Sequence, residues 1–80
     1  MQLSEAYSMR IIELMNERDW TGYKLSGKSA VPNSTVSNIL LGKCKSCNLT
    51  TALNICRGFN ITLENFFASN LFSFENLDDN

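Results

Sequence analysis

The chain has 80 residues, of which 44% are apolar and 19% charged, a composition typical of one globular domain and not of a disordered segment. No apolar run approaches the ~18 residues that a membrane-spanning helix needs, and the N-terminal stretch MQLSEAYSMR has Glu5 where a signal peptide carries basic residues. We therefore expect a cytoplasmic protein with one domain over residues 1–72, followed by an acidic, flexible tail over 73–80.

The net charge of −1 conceals an uneven distribution of charge along the chain. Eight acids against Arg10 and Arg18 give the two flanks −6, whereas the stretch between Trp20 and Leu63 has no acid and a charge of +5. A basic middle favours a nucleic-acid partner, although a solvated surface with uneven charge produces the same pattern. The five cations of this stretch are Lys24, Lys28, Lys43, Lys45 and Arg57.

A first amphipathic helix is predicted over residues 4–18, because its apolar residues recur at helical spacing. Ser4 is the expected N-cap of this helix, and Glu5 then lies favourably against the positive end of the helix dipole. The apolar stripe consists of Tyr7, Ile11, Leu14 and Met15.

Two short helices follow, with a break between them. Thr21 is the expected N-cap of the second helix, which runs to about Lys28. Pro32 then excludes the residue before it from the helical region. The third helix is expected over 33–41, ended by Gly42.

Two further helices complete the pattern. Asn48 is the expected N-cap of a fourth helix over Leu49–Phe59, and Asn60 stands where a left-handed residue often ends a helix. Thr62 caps a fifth helix, whose inner residues are Phe66 and Phe67. Five helices and no strand predict an all-α domain. The core candidates of the fourth helix are Leu49, Leu53, Ile55 and Cys56.

The second and third helices together have the pattern of a helix-turn-helix. The third has an apolar inner stripe and an outer face of short, uncharged side chains that both donate and accept hydrogen bonds. Asn pairs bidentately with adenine, and Ser bonds several base edges. The inner residues are Val36, Ile39 and Leu40. The outer residues are Asn33, Ser34, Ser37 and Asn38.

Over about residues 4–68 the sequence resembles the lambda-repressor-like, XRE-type (Cro/C1-type) helix-turn-helix family. The resemblance implies a five-helix DNA-binding domain that binds operator double-stranded DNA sequence-specifically as a homodimer. It also implies a transcriptional regulator, most often a repressor, with the recognition helix 33–41 in the major groove. The residues that carry it are Leu25, Ser29-Ala30-Val31-Pro32, Ser34-Thr35-Val36-Ser37-x-Ile39, Gly42-Lys43, Leu49, Thr51, Leu53, Ile55 and Asn60-Ile61-Thr62-Leu63-Glu64-x-Phe66-Phe67.

The same resemblance assigns the contacts with DNA. Base contacts are implied for Asn33, Ser34, Ser37 and Asn38. Phosphate contacts are implied for Thr21, Tyr23, Lys24, Thr35, Lys43 and Lys45. The chain departs from the family at Gly22, where Gln often contacts phosphate, and at Leu41, where the family is commonly polar.

Three cysteines invite a metal or redox interpretation. Cys44 and Cys47 form a Cys-x-x-Cys pair and Cys56 lies in the fourth helix, but a structural zinc site takes four ligands and the chain has no His. We expect reduced thiols and no metal or cofactor, with a zinc site shared across a dimer as the alternative.

Two other function classes compete with DNA binding. The first is a protein-interaction module, such as the antitoxin-like regulatory partner in a complex, which would use the apolar residues of the tail. Those residues either pack back on the first helix or form a dimer interface; they are Leu71, Phe72 and Phe74. An enzyme is disfavoured, because there is no His, no glycine-rich phosphate loop and no acid in the middle of the chain.

Overall fold

The structure, a computed structural model, describes residues 1–43 and 48–78. These ranges contain five α-helices and no strand, which confirms the predicted all-α architecture. The helices are α1 (Leu3–Arg18), α2 (Gly22–Ser29), α3 (Asn33–Leu40), α4 (Leu49–Phe59) and α5 (Leu63–Phe67), followed by a 3-10 turn at Asn70–Phe72.

The start of α1 differs from the sequence prediction, in which Ser4 is the N-cap. The cap is Gln2, whose backbone is extended, and the helix begins at Leu3. The reason is the position of Glu5, whose carboxylate accepts the backbone N–H of Gln2 at 3.0 Å. A Glu three residues after the cap satisfies an N–H that otherwise has no partner in the helix.

The caps predicted for the other helices are confirmed. The side chain of Thr21 accepts the N–H of Lys24 at 3.1 Å, and Asn48 and Thr62 cap α4 and α5 in the same way. At the end of α4, Asn60 has φ 61°, in the left-handed region. These signals are local, so the sequence alone predicts them.

One apolar core lies between the helices, and α4 supplies four residues to it at helical spacing. Its members are Tyr7, Ile11, Leu14, Met15, Leu25, Val31, Val36, Ile39, Ala52, Ile55, Cys56, Phe59 and Phe66. Leu49 is not a core residue, contrary to the prediction: it is 79% exposed, because it is the first residue of α4 and the buried face of this helix begins only at Ala52. Leu53 is only half-buried.

Aromatic rings join α5 to the 3-10 turn. Phe66 is fully buried, but Phe67 is partly exposed and is thus not the inner residue that the sequence predicted. Phe72 packs back on the core, with its ring centroid 4.9 Å from that of Phe67 and 6.1 Å from that of Phe66. Phe74 remains 95% exposed. After the turn, the N–H of Asp78 donates to the carbonyl of Met1 at 2.8 Å.

Two arginines of α1 hold the ends of other helices, a role that counting charges along the chain does not indicate. Arg10 donates to the carbonyl oxygens of Phe66 (2.7 Å) and Asn65 (3.0 Å) at the end of α5. Arg18 donates to the carbonyl of Phe59, the last residue of α4, at 3.2 Å. A cation at the C-terminal end of a helix satisfies carbonyls that have no partner within it.

Candidate nucleic-acid interface

Helix α3 has one polar face in solvent and one apolar face in the core. The exposed side chains are Asn33, Ser34, Ser37 and Asn38. On the other side Val36 and Ile39 are buried and Leu40 is half-buried, as the sequence predicted. All four predicted base-contacting residues are therefore accessible to a partner, on a helix that the core holds in place.

The N-terminal end of α3 lacks the side-chain cap that α2, α4 and α5 have. Pro32 occupies the cap position and offers no side-chain acceptor; its carbonyl accepts the N–H of Val36 at 3.0 Å. The first N–H groups of a helix have no intrahelical partner, and together with the dipole they form a site that favours an anion. The polar run Asn33-Ser34 stands at this end.

The turn between α2 and α3 is held by three hydrogen bonds that the local sequence pattern does not predict. The hydroxyl of Ser26 donates to the carbonyl of Val31 at 2.6 Å, and the hydroxyl of Ser29 donates to the carbonyl of Leu25 at 2.8 Å. The oxygen of Ser29 in turn accepts the N–H of Val31 at 3.2 Å. Ala30 has φ 60° within this turn. The turn thus fixes the angle between the two helices despite an alanine in the left-handed region.

The C-terminal end of α3 is closed by its own backbone. The N–H of Gly42 donates to the carbonyl of Ile39 and that of Lys43 to the carbonyl of Asn38, at 3.0 and 2.9 Å. This pair of bonds forms a Schellman motif, which requires the positive φ of Gly42, 71°. The backbone of Lys43 therefore has a defined position directly after the last turn of α3.

The predicted phosphate-contacting residues have different surroundings. Tyr23, Lys24 and Lys43 are exposed, as is Thr21, whose side-chain oxygen caps α2. Thr35 is half-buried. Lys45 lies outside the described residues.

Ion pairs among the described residues do not neutralise the lysines in the basic middle of the chain. Within the described part of the chain, the ion pairs join Met1 to Asp78, Arg10 to Glu13, and Arg18 to Glu17. None of them involves Lys24, Lys28 or Lys43. These ammonium groups are free to meet an anionic partner.

Cys56 is a buried, free thiol of the core, and burial raises its pKa above the ordinary value. Cys44 and Cys47 lie outside the described residues. Across residues 1–43 and 48–78 there is no group of three His, Cys, Asp or Glu side chains arranged to hold a metal ion. Among those residues there is also no helix long and apolar enough to cross a membrane.

Comparison with known protein families gave one match relevant to this surface. The model of the Cro/C1-type HTH DNA-binding domain matches residues 10–69, three quarters of the chain. No curated protein sequence and no solved structure matched significantly. The matched region contains α2, α3 and the turn between them. The chain belongs to the family of Cro/C1-type helix-turn-helix DNA-binding domains, and its function is DNA binding by a transcription regulator.

Proposed function

We propose that the protein is a sequence-specific repressor that binds an operator in the cytoplasm as a homodimer, with α3 in the major groove. The observation that carries this proposal is the polar face of α3: four uncharged, exposed side chains on a helix whose opposite face is buried. Side chains of this kind suit base edges, because they donate and accept hydrogen bonds without the desolvation cost of a charge.

Within this face, each residue has a role that follows from its position. Asn33 and Ser34 lie in the first turn, the end of a recognition helix that meets base edges. Ser37 and Asn38 lie one turn further along the same face, over neighbouring base pairs. An Asn amide bonds adenine bidentately, so Asn33 supplies the strongest expected discrimination.

The backbone of DNA is contacted by the residues around α3. Lys24 and Lys43 contribute unpaired charges, and Lys45 follows shortly after. Tyr23, Thr21 and Thr35 add hydroxyl groups to this set. Since phosphate contacts carry no sequence information, these residues position α3 and supply affinity that salt weakens.

An exposed apolar surface supports the homodimer. Leu3, Leu49 and Phe67 are exposed around a pocket of about 130 Å³, which Tyr7 and Ala52 also line. Apolar side chains grouped in this way mark association surfaces. In a two-fold dimer each copy presents the same surface. To occupy two half-sites of an operator, the two recognition helices of such a dimer must lie about 34 Å apart, one turn of DNA.

The same exposed side chains, together with Phe74, favour a second candidate function: an antitoxin-like module that binds a different protein. The two functions differ in what removal of residues 73–80 does. A repressor without the tail retains its operator, whereas an interaction module that binds its partner through Phe74 loses that partner and has no preferred duplex.

Selection of bound duplexes from a random pool tests the proposal. We expect enrichment of a two-fold symmetric sequence whose half-sites are centred about 10 base pairs apart. A pool that shows no enriched sequence after repeated rounds, with protein that remains folded, contradicts it.

A further inference from the structure

Leu40, the last residue of α3, is held by two other helices at once. Its carbonyl oxygen accepts the hydroxyl of Ser8, from α1, at 3.3 Å. Its side chain lies over Gly22, the first residue of α2: a Cβ at position 22 would lie 3.2 Å from Cδ1 of Leu40. Leu40 thus joins the recognition helix to both of the helices that support it.

The bond from Ser8 completes the hydrogen bonding at the end of α3. The carbonyls of Ser37, Asn38 and Ile39 accept backbone N–H groups from Leu41, Lys43 and Gly42. The fourth terminal carbonyl, that of Leu40, takes its donor from the side chain of Ser8. Ser8 is buried, so water does not readily replace this donor.

Gly22 matters because it has no side chain and so leaves room for its neighbours. A Cβ there would also lie 3.6 Å from Cγ1 of Val36, an ordinary contact, so the tight approach is to Leu40 alone. At 3.2 Å the side chain of Leu40 has to give way by a few tenths of an ångström. Because the hydroxyl of Ser8 also holds the carbonyl of Leu40, we expect the end of α3 to shift with that side chain.

We infer that Ser8 and Gly22 are positioning residues for base recognition: they set the height and tilt of α3 through Leu40, although neither residue belongs to the proposed DNA surface. The inference rests on the proposed function. Hydrogen bonds from Asn33 and Ser34 to base edges require positions within tenths of an ångström, whereas long lysines adapt to a phosphate. Displacing α3 therefore reduces discrimination and spares non-specific binding.

The first test is Gly22→Ala, with affinity measured for the selected duplex and for random duplex by fluorescence anisotropy. We expect affinity for the selected duplex to fall about fivefold or more, with affinity for random duplex and Tm nearly unchanged. Gly27→Ala is the matched control, because a Cβ at position 27 has no atom within 4 Å. The control keeps the discrimination of the parent.

A second variant separates displacement from any other effect of the new methyl group. Leu40→Val removes the Cδ1 atom that the alanine would meet, so the double variant Gly22→Ala, Leu40→Val regains discrimination. Ser8→Ala loses discrimination as Gly22→Ala does, and the two changes are not additive because both act through Leu40. Ser4→Ala, a hydroxyl removed from the same helix, leaves discrimination unchanged.

The outcomes distinguish this inference from the proposed function. A parent protein that prefers no sequence overturns the proposed function, and the inference with it. A parent that discriminates, while Gly22→Ala and Ser8→Ala discriminate equally well, overturns the inference alone. Equal losses for selected and random duplex also overturn it, because they indicate general destabilisation of the domain.

Discussion

Gly58 of α4 lies directly against the backbone of Ser29 in α2: a Cβ at position 58 would be 3.0 Å from the nitrogen, Cα and Cβ of Ser29. This distance is tighter than nine in ten real Cβ contacts, and backbone atoms cannot rotate away as the end of a side chain can. The crossing of α2 and α4 therefore depends on the absence of a side chain at this position. Since Ser29 also bonds the turn that leads to α3, the crossing supports the proposed DNA-binding surface.

Gly58→Ala is expected to destabilise the protein by about 1–3 kcal/mol, because an extra methyl group forces two packed helices apart. Urea unfolding measures the change. Gly27→Ala serves as the control: it places the same methyl group in open space within a helix and stabilises by up to about 1 kcal/mol. Equal effects of the two substitutions would contradict the account of the crossing.

Raising the pH is expected to weaken folding through Cys56. Burial raises the pKa of this thiol, and the charge of Arg10 opposes the rise only in part. Above the unfolded thiol pKa of about 8.5, the unfolded chain releases the proton while the folded chain retains it, so stability is full below this pH and is lost above it. Each further pH unit costs up to about 1.4 kcal/mol until the folded pKa is reached.

The measurement is the difference in unfolding free energy between the parent and Cys56→Ala, at pH 7 and at pH 10. The other titrating groups are common to both proteins, so their effects cancel in the difference. We expect the free energy of unfolding of the parent to fall relative to that of Cys56→Ala at the higher pH. A difference that stays constant between pH 7 and pH 10 would contradict the account, because a buried thiol that stays protonated must make it change.

Leu49→Asp is expected to convert the proposed homodimer into a monomer without unfolding the chain. Leu49 is exposed, and an acid in the first turn of α4 suits the helix dipole. Sedimentation velocity reports the association state, and Met9→Asp, a change at an exposed apolar residue of α1, serves as the control. If the Leu49→Asp protein sediments as a dimer like the parent, the apolar surface of Leu3, Leu49 and Phe67 is not the dimer interface.

Lys43→Gln is expected to weaken binding to all duplexes alike. Removing one phosphate contact reduces the slope of log K against log salt by about 0.9, so a dimer, in which both copies change, shows a reduction of about 1.8. Titrations at several salt concentrations give the slope, with Lys28→Gln as the comparison outside the proposed contacts. A Lys43→Gln protein with an unchanged salt slope does not contact phosphate through this residue.

The features that the sequence predicted depend on residues close together in the chain. Thr21, Asn48 and Thr62 cap their helices because a short polar side chain reaches the N–H groups two or three residues later. The buried face of α3 and the left-handed Asn60 follow from spacing in the same way.

The features that sequence analysis missed depend on contacts between segments that are far apart in the chain. Ser8 and Leu40 are 32 residues apart, and no local sequence pattern predicts their hydrogen bond. Arg10 and Asn65 are likewise 55 residues apart, so the sequence does not show that an arginine counted as a flank charge bonds the end of a helix. The spacing of Leu49 fits the apolar stripe of α4, but where that stripe ends depends on tertiary packing.

The central claim is that the polar face of α3 reads bases, and Asn33→Ala tests it most directly. Affinity is measured for the selected duplex and for the set of duplexes with each base pair changed in turn, with Asn16→Ala, an exposed Asn of α1, as the control. We predict that Asn33→Ala loses about 1–3 kcal/mol of discrimination at one base position and keeps its preferences elsewhere. Unchanged preferences at every position would contradict the claim.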